Sequence, residues 1–475
     1  MKRSCKPGNC ILIGLNILLV LVLVAEIVGG AYLIRLQQEL DLQVPSTPSS
    51  GTGSSSESTV TQPTQPTVTE PSVPTEPPVQ TVGSATISAV GDVMMHLPVV
   101  YAGLRGGRYN YDSMFSYLKP YVQKADYAAA NLETTLAGLK AGESYTGYPD
   151  FNSPDAILDA LKKSGFDLIL TANNHNYDTG TDGLYRTQEE ILERDLHKLG
   201  TKLSDMEPNY RIVEINGIRI GMVCYSYEND SGVNRKTMGD DVVAKADMDL
   251  INSFDYHHLG KFYEEMQLNM ALMKAEGVDA VVAFLHWGTE NALNSSSRQR
   301  TIAQNLCNLG VDVIVGSHPH VVQPVELYSS AYDAGHKMVC IYSLGNVLSN
   351  QRREEAGIPN SGHTEDGALC NLTFTKYPDG TVLLTDVEML PLWVHYYKQS
   401  GRKYYRILPL DAAVPDWKSA YNLSDEILKE TIDSWTRTHA IIDSGLEKVD
   451  AYLDSVRQQV EDRIRSEYPL TEGET

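Results

Sequence analysis

The sequence is poor in cysteine. Six occur in 475 residues (Cys5, Cys10, Cys224, Cys307, Cys340 and Cys370), and no two form a C-x-x-C pair. That pattern excludes a thiolate zinc knuckle or a thioredoxin-type redox pair, and the number is too small for a disulfide framework. Cys224 in "GMVCYSY" and Cys340 in "KMVCIYSL" lie inside apolar runs and read as buried thiols. Positive charge is also scarce: 39 Lys and Arg against 61 Asp and Glu give a net charge of −22. Such a surface repels polyanions unless a local patch reverses its sign, which argues against nucleic acid as a partner. Phenylalanine is rare, 7 against 27 tyrosines, so the aromatic surface is largely amphipathic and partly wet. No internal repeat is present. The chain does not lack apolar residues: at 42 % they are too many for wholly disordered sequence, and a sizeable core is expected.

The two ends of the chain differ from its middle. Residues 1–10 carry Lys2, Arg3 and Lys6 and precede an apolar stretch from Ile11 to Ile34. At ~1.5 Å per residue that stretch spans the ~30 Å hydrocarbon core of a bilayer. The preceding positive charges place the N-terminus in the cytoplasm and everything after residue 35 outside it. The stretch is long for a cleaved signal, although Glu26 interrupts it and "VGGA" offers small residues for a peptidase; an uncleaved single-pass anchor is expected. Residues 35–83, rich in Pro, Ser and Thr, have too little apolar surface to offset chain entropy. They read as a stalk with a reach on the order of 100 Å when extended.

From residue 84 to about 400, short apolar runs alternate with helix-like segments. Strands are expected at Ala85–Ala89, Tyr127–Ala130, Asp167–Leu170, Ile218–Tyr225, Ala280–Leu285, Val311–Val315 and Met338–Tyr342, and helices at Ser153–Ser164, Gly183–Leu199, Lys261–Glu276 and Ser297–Asn308. Two turn signals, Asn216-Gly217 and Pro378-Asp379-Gly380, predict hairpins, so the sheets are not all parallel. The reading is α/β, with central sheets and outer helices. Residues 401–475 read as a helical extension: Ile427, Leu428, Ile432 and Trp435 share one helix face after the capping Ser424.

The polar residues fall in a telling place. "TISAVGD" ends in Asp92, "YAAANLE" in Asn131 and Glu133, "LILTANNH" in Asn173, Asn174 and His175, "AVVAFLHWG" in His286, and "DVIVGSHPH" in His318 and His320. In α/β sheets ligands bind beyond the carboxyl ends of strands. Each run alone has an ordinary explanation, such as a turn, a helix cap or a core histidine. Five runs ending in hard oxygen and imidazole donors together indicate a metal site, with a donor set suited to Mn, Fe or Zn.

The ordered set "AVGDVMM", "AANLET", "TANNHNYDTG", "LHWGTE", "GSHPHVVQPVE" and "YSLGN" resembles the capsule-synthesis CapA family, also called the poly-γ-glutamate capsule biosynthesis family, a branch of the calcineurin-like metallophosphoesterase fold. The resemblance spans residues 84–400. It implies a two-sheet sandwich flanked by helices, two divalent metal ions at the strand ends, and an anchored domain outside the cell. By matching motif, Asp92 binds the first metal and Glu133 bridges both, where the wider fold uses Asp. The resemblance also implies that Asn174, His286 and His318 would bind the second metal and His320 the first. It further implies that His175 binds no metal and faces the substrate as a proton donor or oxyanion stabiliser, its ring oriented by Asp178. One departure stands out: the wider fold has a histidine two residues after its first Asp, and here that position is Met94. His96 is the candidate replacement ligand.

For substrate contacts, Glu290 and Gln323 follow the metal motifs, Arg352 and Arg353 are the best-placed cations for an acidic polymer, and His363 is a further loop candidate. Three functions follow. The first is an anchored extracellular protein of capsule or poly-γ-glutamate biosynthesis, acting on an acidic polymer beside membrane synthase subunits. The second is a metallophosphoesterase of envelope phosphate esters. The third is a non-catalytic scaffold for polymer or synthase, which the missing imidazole at Met94 favours.

Overall fold

The computed structural model describes residues 79–467 apart from 141, 230–234, 356 and 360. The expected anchor at 11–34 and nearly all of the stalk lie outside the described residues. Among the described residues no helix is long and apolar enough to cross a membrane.

Four strands open a first sheet: β1 (Gly83–Met94), β2 (Tyr127–Glu133), β3 (Leu168–Leu170) and β4 (His197–Leu199), all parallel. The chain then builds a second sheet from β5 (Tyr210–Ile215), β6 (Ile218–Tyr227), β7 (Ser253–Phe254), β8 (Ala280–His286), β9 (Val313–Ser317), β10 (Val325–Ser329) and β11 (Lys337–Ile341). Its order is β7-β6-β8-β9-β11-β10, with β5 beside β6. Four strands return to the first sheet: β12 (Asn346–Leu348), β13 (Asp366–Lys376), β14 (Val382–Gln399) and β15 (Arg402–Pro409). They complete the order β15-β14-β13-β1-β2-β3-β4, with β12 beside the end of β1.

The two sheets face each other across a shared core that includes Ile87, Leu168, Met222, Val282, Phe284, Val315 and Leu372. Strand β8 shows why its sequence is a continuous apolar run. Val282 and Phe284 enter this core, while Val281, Ala283 and Leu285 point the other way, under the helices that cover this sheet. Both predicted hairpins form. Asn216 and Gly217 take positive φ (52° and 77°) between β5 and β6, and Gly380 (φ 87°) turns β13 into β14.

Helices α1 (Leu97–Ala102), α2 (Ala156–Ser164) and α3 (Gly180–Glu193) lie on the outer face of the first sheet. Helices α4 (Leu259–Ala275) and α5 (Ser297–Leu309) cover the second. Ser296 and Gln299 close a capping box at the start of α5. The helix expected through Leu199 stops at Glu193. Asp195 takes positive φ (50°), and His197–Leu199 pairs with β3 as an edge strand.

The sheet also continues past residue 400. Ser400 and Gly401 turn at positive φ and β15 pairs along β14, so the helical tail begins only with α6 (Trp417–Ala420) and α7 (Asp425–Glu467). With 43 residues, α7 is about 64 Å long. It is docked on the body: Ile442, Val449 and Leu453 join the inter-sheet core. Arg437 grips the buried Asp366 through two nitrogens, each at 2.8 Å. The four described cysteines, Cys224, Cys307, Cys340 and Cys370, are free and buried.

Candidate metal centre

The carboxyl ends of β1, β2, β8 and β9 meet at one rim. Asp92 sits near the end of β1, just after a register shift at Gly91. A Cβ on Gly91 would overlap the Gly345 carbonyl, which accepts the Asp92 N–H at 3.0 Å, so only glycine lets the strand turn its aspartate inward. Asn131 and Glu133 share one face of β2 by the two-residue strand period. His286 is the last residue of β8. His318 and His320 follow β9 in positive-φ backbone (95° and 57°), strain that persists because the His318 N–H donates to Asp92 and the Pro319 and His320 carbonyls accept from Asn291 and Asn346.

Asp92, Glu133, His286, His318 and His320 are all buried. Their donor atoms form overlapping groups in which all ligand atoms lie within 4.8 Å: Asp92, Glu133 and His320 in one, Glu133, His286 and His318 in another. Glu133 is common to both. His320 Nδ1 lies 3.0 Å from Asp92 Oδ2, and Glu133 Oε1 lies 3.6 Å from His286 Nε2 and 3.8 Å from His320 Nε2. Bonds of roughly 2.0–2.2 Å to one tetrahedral ion place its ligands about 3.4 Å apart, so these separations suit a shared cation. Two buried atoms point the same way: Glu133 Oε1 and His318 Nδ1 have no hydrogen-bond partner among the described residues. Asn174 Oδ1 lies 2.7 Å from His286 Nε2, on the same side as Glu133 Oε1.

The electrostatics fit a cation as well. Burial, then the neighbouring Asp92, pushes the Glu133 carboxyl well above its usual range. Burial, then the neighbouring imidazoles, pushes His286 and His318 well below theirs. A divalent ion relieves both, since it favours carboxylate and neutral imidazole together.

Beside this cluster stands a second arrangement. His175 Nδ1 donates to Asp178 Oδ2 at 2.8 Å, and Asp178 is itself fixed by the Phe151 N–H at 2.6 Å. The His175 ring rests edge-on against Phe151, with centroids 4.7 Å apart.

The remaining sequence candidates divide. Glu290 reaches the cluster, forming a third group with His318 and His320 from an exposed position. Gln323 does not line the cleft. It is fully buried, and its amide is consumed by Gln299, Ala292 and Asn294, so it pins the loop that carries Glu290. Arg352 and Arg353 are not free for substrate. Both bind Glu365, at 3.1 and 2.8 Å, and Arg352 also donates to the Val394 carbonyl. His96 belongs to none of the three groups. Its Nδ1 accepts the Asn350 N–H at 3.2 Å, which leaves the ring proton on Nε2, and its ring packs on Phe151. Burial, with His320 and His175 nearby, pushes its pKa down to about 3. His363 is half-buried near Asp366, also outside the groups.

Several residues at the site carried no assigned role in the sequence. Asn131 donates to Asp92 Oδ1 at 2.7 Å and accepts from Asn173 at 3.1 Å, which holds the Asp92 carboxylate in place. Ser317 Oγ lies 3.0 Å from His286 Nδ1, where it would accept the Nδ1–H once Nε2 binds an ion. The Tyr227 ring lies 4.7 Å from the His318 ring and nearly parallel to that of His286. Asn131 stood in the strand-end pattern, but nothing marked Ser317 or Tyr227.

With this geometry in place, comparison with known proteins is decisive. The family model described as bacterial capsule synthesis protein PGA_cap matches residues 86–351, more than half of the chain and every residue of the cluster. The chain belongs to this family. Among curated relatives, the PGA biosynthesis protein CapA of Bacillus subtilis (strain 168) is 28 % identical over 319 residues, covering 66 % of this chain and 74 % of that protein. The capsule biosynthesis protein CapA of Bacillus anthracis is 27 % identical over 321 residues, covering 65 % and 67 %. Among solved structures, the calcineurin-like phosphoesterase YfkN of Bacillus subtilis overlays with a TM-score of 0.37 at 15 % identity, over 77 % of this chain and 99 % of that one.

Proposed function

We propose that this PGA_cap protein is held outside the cell by an N-terminal membrane anchor and acts on an acidic capsule polymer of the poly-γ-glutamate class through a dinuclear metal site. The observation that carries the reading is the buried Glu133 carboxylate, whose Oε1 lacks a hydrogen bond and faces His286 and His320. Asp92, Glu133 and His320 would hold one divalent ion, and Glu133, His286 and His318 with Asn174 the other. When bound, such ions supply Lewis-acid charge to a water and to the substrate oxygen that gains negative charge. The chain's own residues do the rest. Asn131 and Ser317 fix the orientation of Asp92 and His286. Asp178 keeps His175 Nδ1 protonated, so Nε2 is the nitrogen that holds and releases the working proton. Cleavage of a γ-amide would join the water oxygen to the carbonyl carbon and break the C–N bond. The His175 Nε2 proton would pass to the leaving nitrogen, and the proton lost by the water would return to His175 Nε2.

The test uses the purified full-length chain supplied with Mn²⁺, incubated in parallel with poly-γ-glutamate and with p-nitrophenyl phosphate. The expected result is shortening of the polymer with new amine ends, lost in Asp92→Ala and His318→Ala together with bound metal. Turnover of the phosphate ester with the polymer untouched would replace this reading with an envelope phosphoesterase. Absence of metal and of both activities would replace it with a polymer- or synthase-binding scaffold.

A further inference from the structure

The cations that the sequence offers for an acidic substrate, Arg352 and Arg353, are consumed by Glu365. A different set is free. A cavity of about 590 Å³ opens between α1, the Leu104–Tyr109 hairpin and the turn joining β14 to β15. Its volume falls within the roughly 300–1,000 Å³ of ligand sites. Its walls carry Leu97, Tyr101 and Leu104 together with Arg105, Arg402 and Lys403, and among the described residues no carboxylate lines it. In a chain of net charge −22, three cations around an acid-free hollow reverse the local sign of the surface.

None of the three makes an ion pair among the described residues. Arg105 donates to its own neighbour's carbonyl, Leu104 O, at 2.8 Å and lies over the Tyr404 ring at 5.0 Å. Lys403 lies over the Tyr396 ring at 5.7 Å, and Arg402 is exposed. Ring contacts of this kind hold a cation in place without neutralising it. The cavity lies close to the metal centre in sequence, since Leu97 is five residues after Asp92. Its wall begins at Leu97, one residue after His96, whose ring shares Phe151 with His175.

We infer that this cavity is a holding subsite for the polymer chain on its way to the metal centre, binding a polycarboxylate whose charges are spaced by methylene groups; the inference rests on the polymer reading above. The chemistry of the walls selects that class. Arg105, Arg402 and Lys403 meet carboxylates, while Leu97, Leu104 and the Tyr101 ring meet the aliphatic segments between them. A polyphosphate would satisfy the cations but leave the apolar wall without a partner.

The experiment is fluorescence anisotropy with a labelled poly-γ-glutamate oligomer and the full-length chain, at low and at physiological salt. The variants are the triple Arg105→Gln, Arg402→Gln, Lys403→Gln and a charge-conserving Arg105→Lys, Arg402→Lys. The triple variant is expected to bind about tenfold more weakly, as befits three solvent-facing cations, and with a flatter salt dependence. The lysine variant should keep most of the affinity, and bound metal and melting temperature should match the wild type in both. If the wild type binds and the triple variant binds equally well, the subsite is overturned and the polymer reading stands. If the wild type does not bind the oligomer at all, both fall together. If a polyphosphate of equal charge binds the wild type more tightly than the oligomer, the polycarboxylate assignment is overturned.

Discussion

At the scale of single residues, the site depends on which nitrogen of each ring is free. Ser317 Oγ stands 3.0 Å from His286 Nδ1, because the two residues are register partners on adjacent parallel strands, and it would accept the Nδ1–H when Nε2 holds an ion. Removing that hydroxyl lets the ring sample the wrong tautomer. Ser317→Ala is therefore expected to lower metal affinity about tenfold without unfolding the protein, as read by metal titration calorimetry near neutral pH. The serine was not legible in "GSHPH", since its role depends on a partner 31 residues away. A second residue offers a pH test away from the metal. His395 is buried, accepts the Arg406 Nε–H at 2.8 Å, and is pushed down to about 3 by burial, then by Arg406 and Arg352. Its unfolded value is 6.5, so between 6.5 and about 3 the unfolded chain binds the extra proton and stability falls as the pH falls. His395→Gln removes this linkage. Its melting temperature should fall less between about pH 7 and about pH 4 than that of the wild type.

At the scale of elements, α7 was legible as a helix from its apolar spacing, but its docking was not. Gly445 lies mid-helix, where intrinsic propensity favours alanine by about 1 kcal/mol. The packing says the opposite. A Cβ at Gly445 would overlap the Val325 carbonyl of β10, the strand on which α7 rests. The two effects have opposite signs, so the substitution decides between them. Gly445→Ala is expected to cost about 1–3 kcal/mol by overpacking, seen as a lower denaturant midpoint, while Ser444→Ala on the exposed side changes little. Helix α3 carries the same lesson. Its periodicity ran on toward Leu199, but pairing of His197–Leu199 with β3 took those residues into the sheet. Such competition between local period and long-range pairing is invisible until the partner strand is placed.

At the scale of the whole molecule, the polar ends of the apolar runs were legible because strands buried on both faces leave polar residues only at their tips. The free cations were not, because an arginine's availability depends on whether a distant carboxylate claims it, as Glu365 claims Arg352 and Arg353. The same architecture makes stability depend on the ion. Two sheets converge to bring Asp92 and Glu133, both buried, beside three imidazoles, with Glu133 Oε1 left unpartnered. Without a cation this cluster is a cost to the fold, since burial and then the like charge of Asp92 oppose ionisation of Glu133. An ion that binds the folded chain and not the unfolded one stabilises it by about 2.7 kcal/mol at a hundred times its dissociation constant. Chelation should then lower the melting temperature by roughly 3–8 °C, restored by adding back the metal. The double variant Asp92→Asn, Glu133→Gln should melt at or above the chelated wild type and ignore both chelator and metal, because it has lost the ligands and the buried charge together. A wild type whose melting curve is indifferent to chelation and to added Mn²⁺ or Zn²⁺ would mean that the cluster holds no ion.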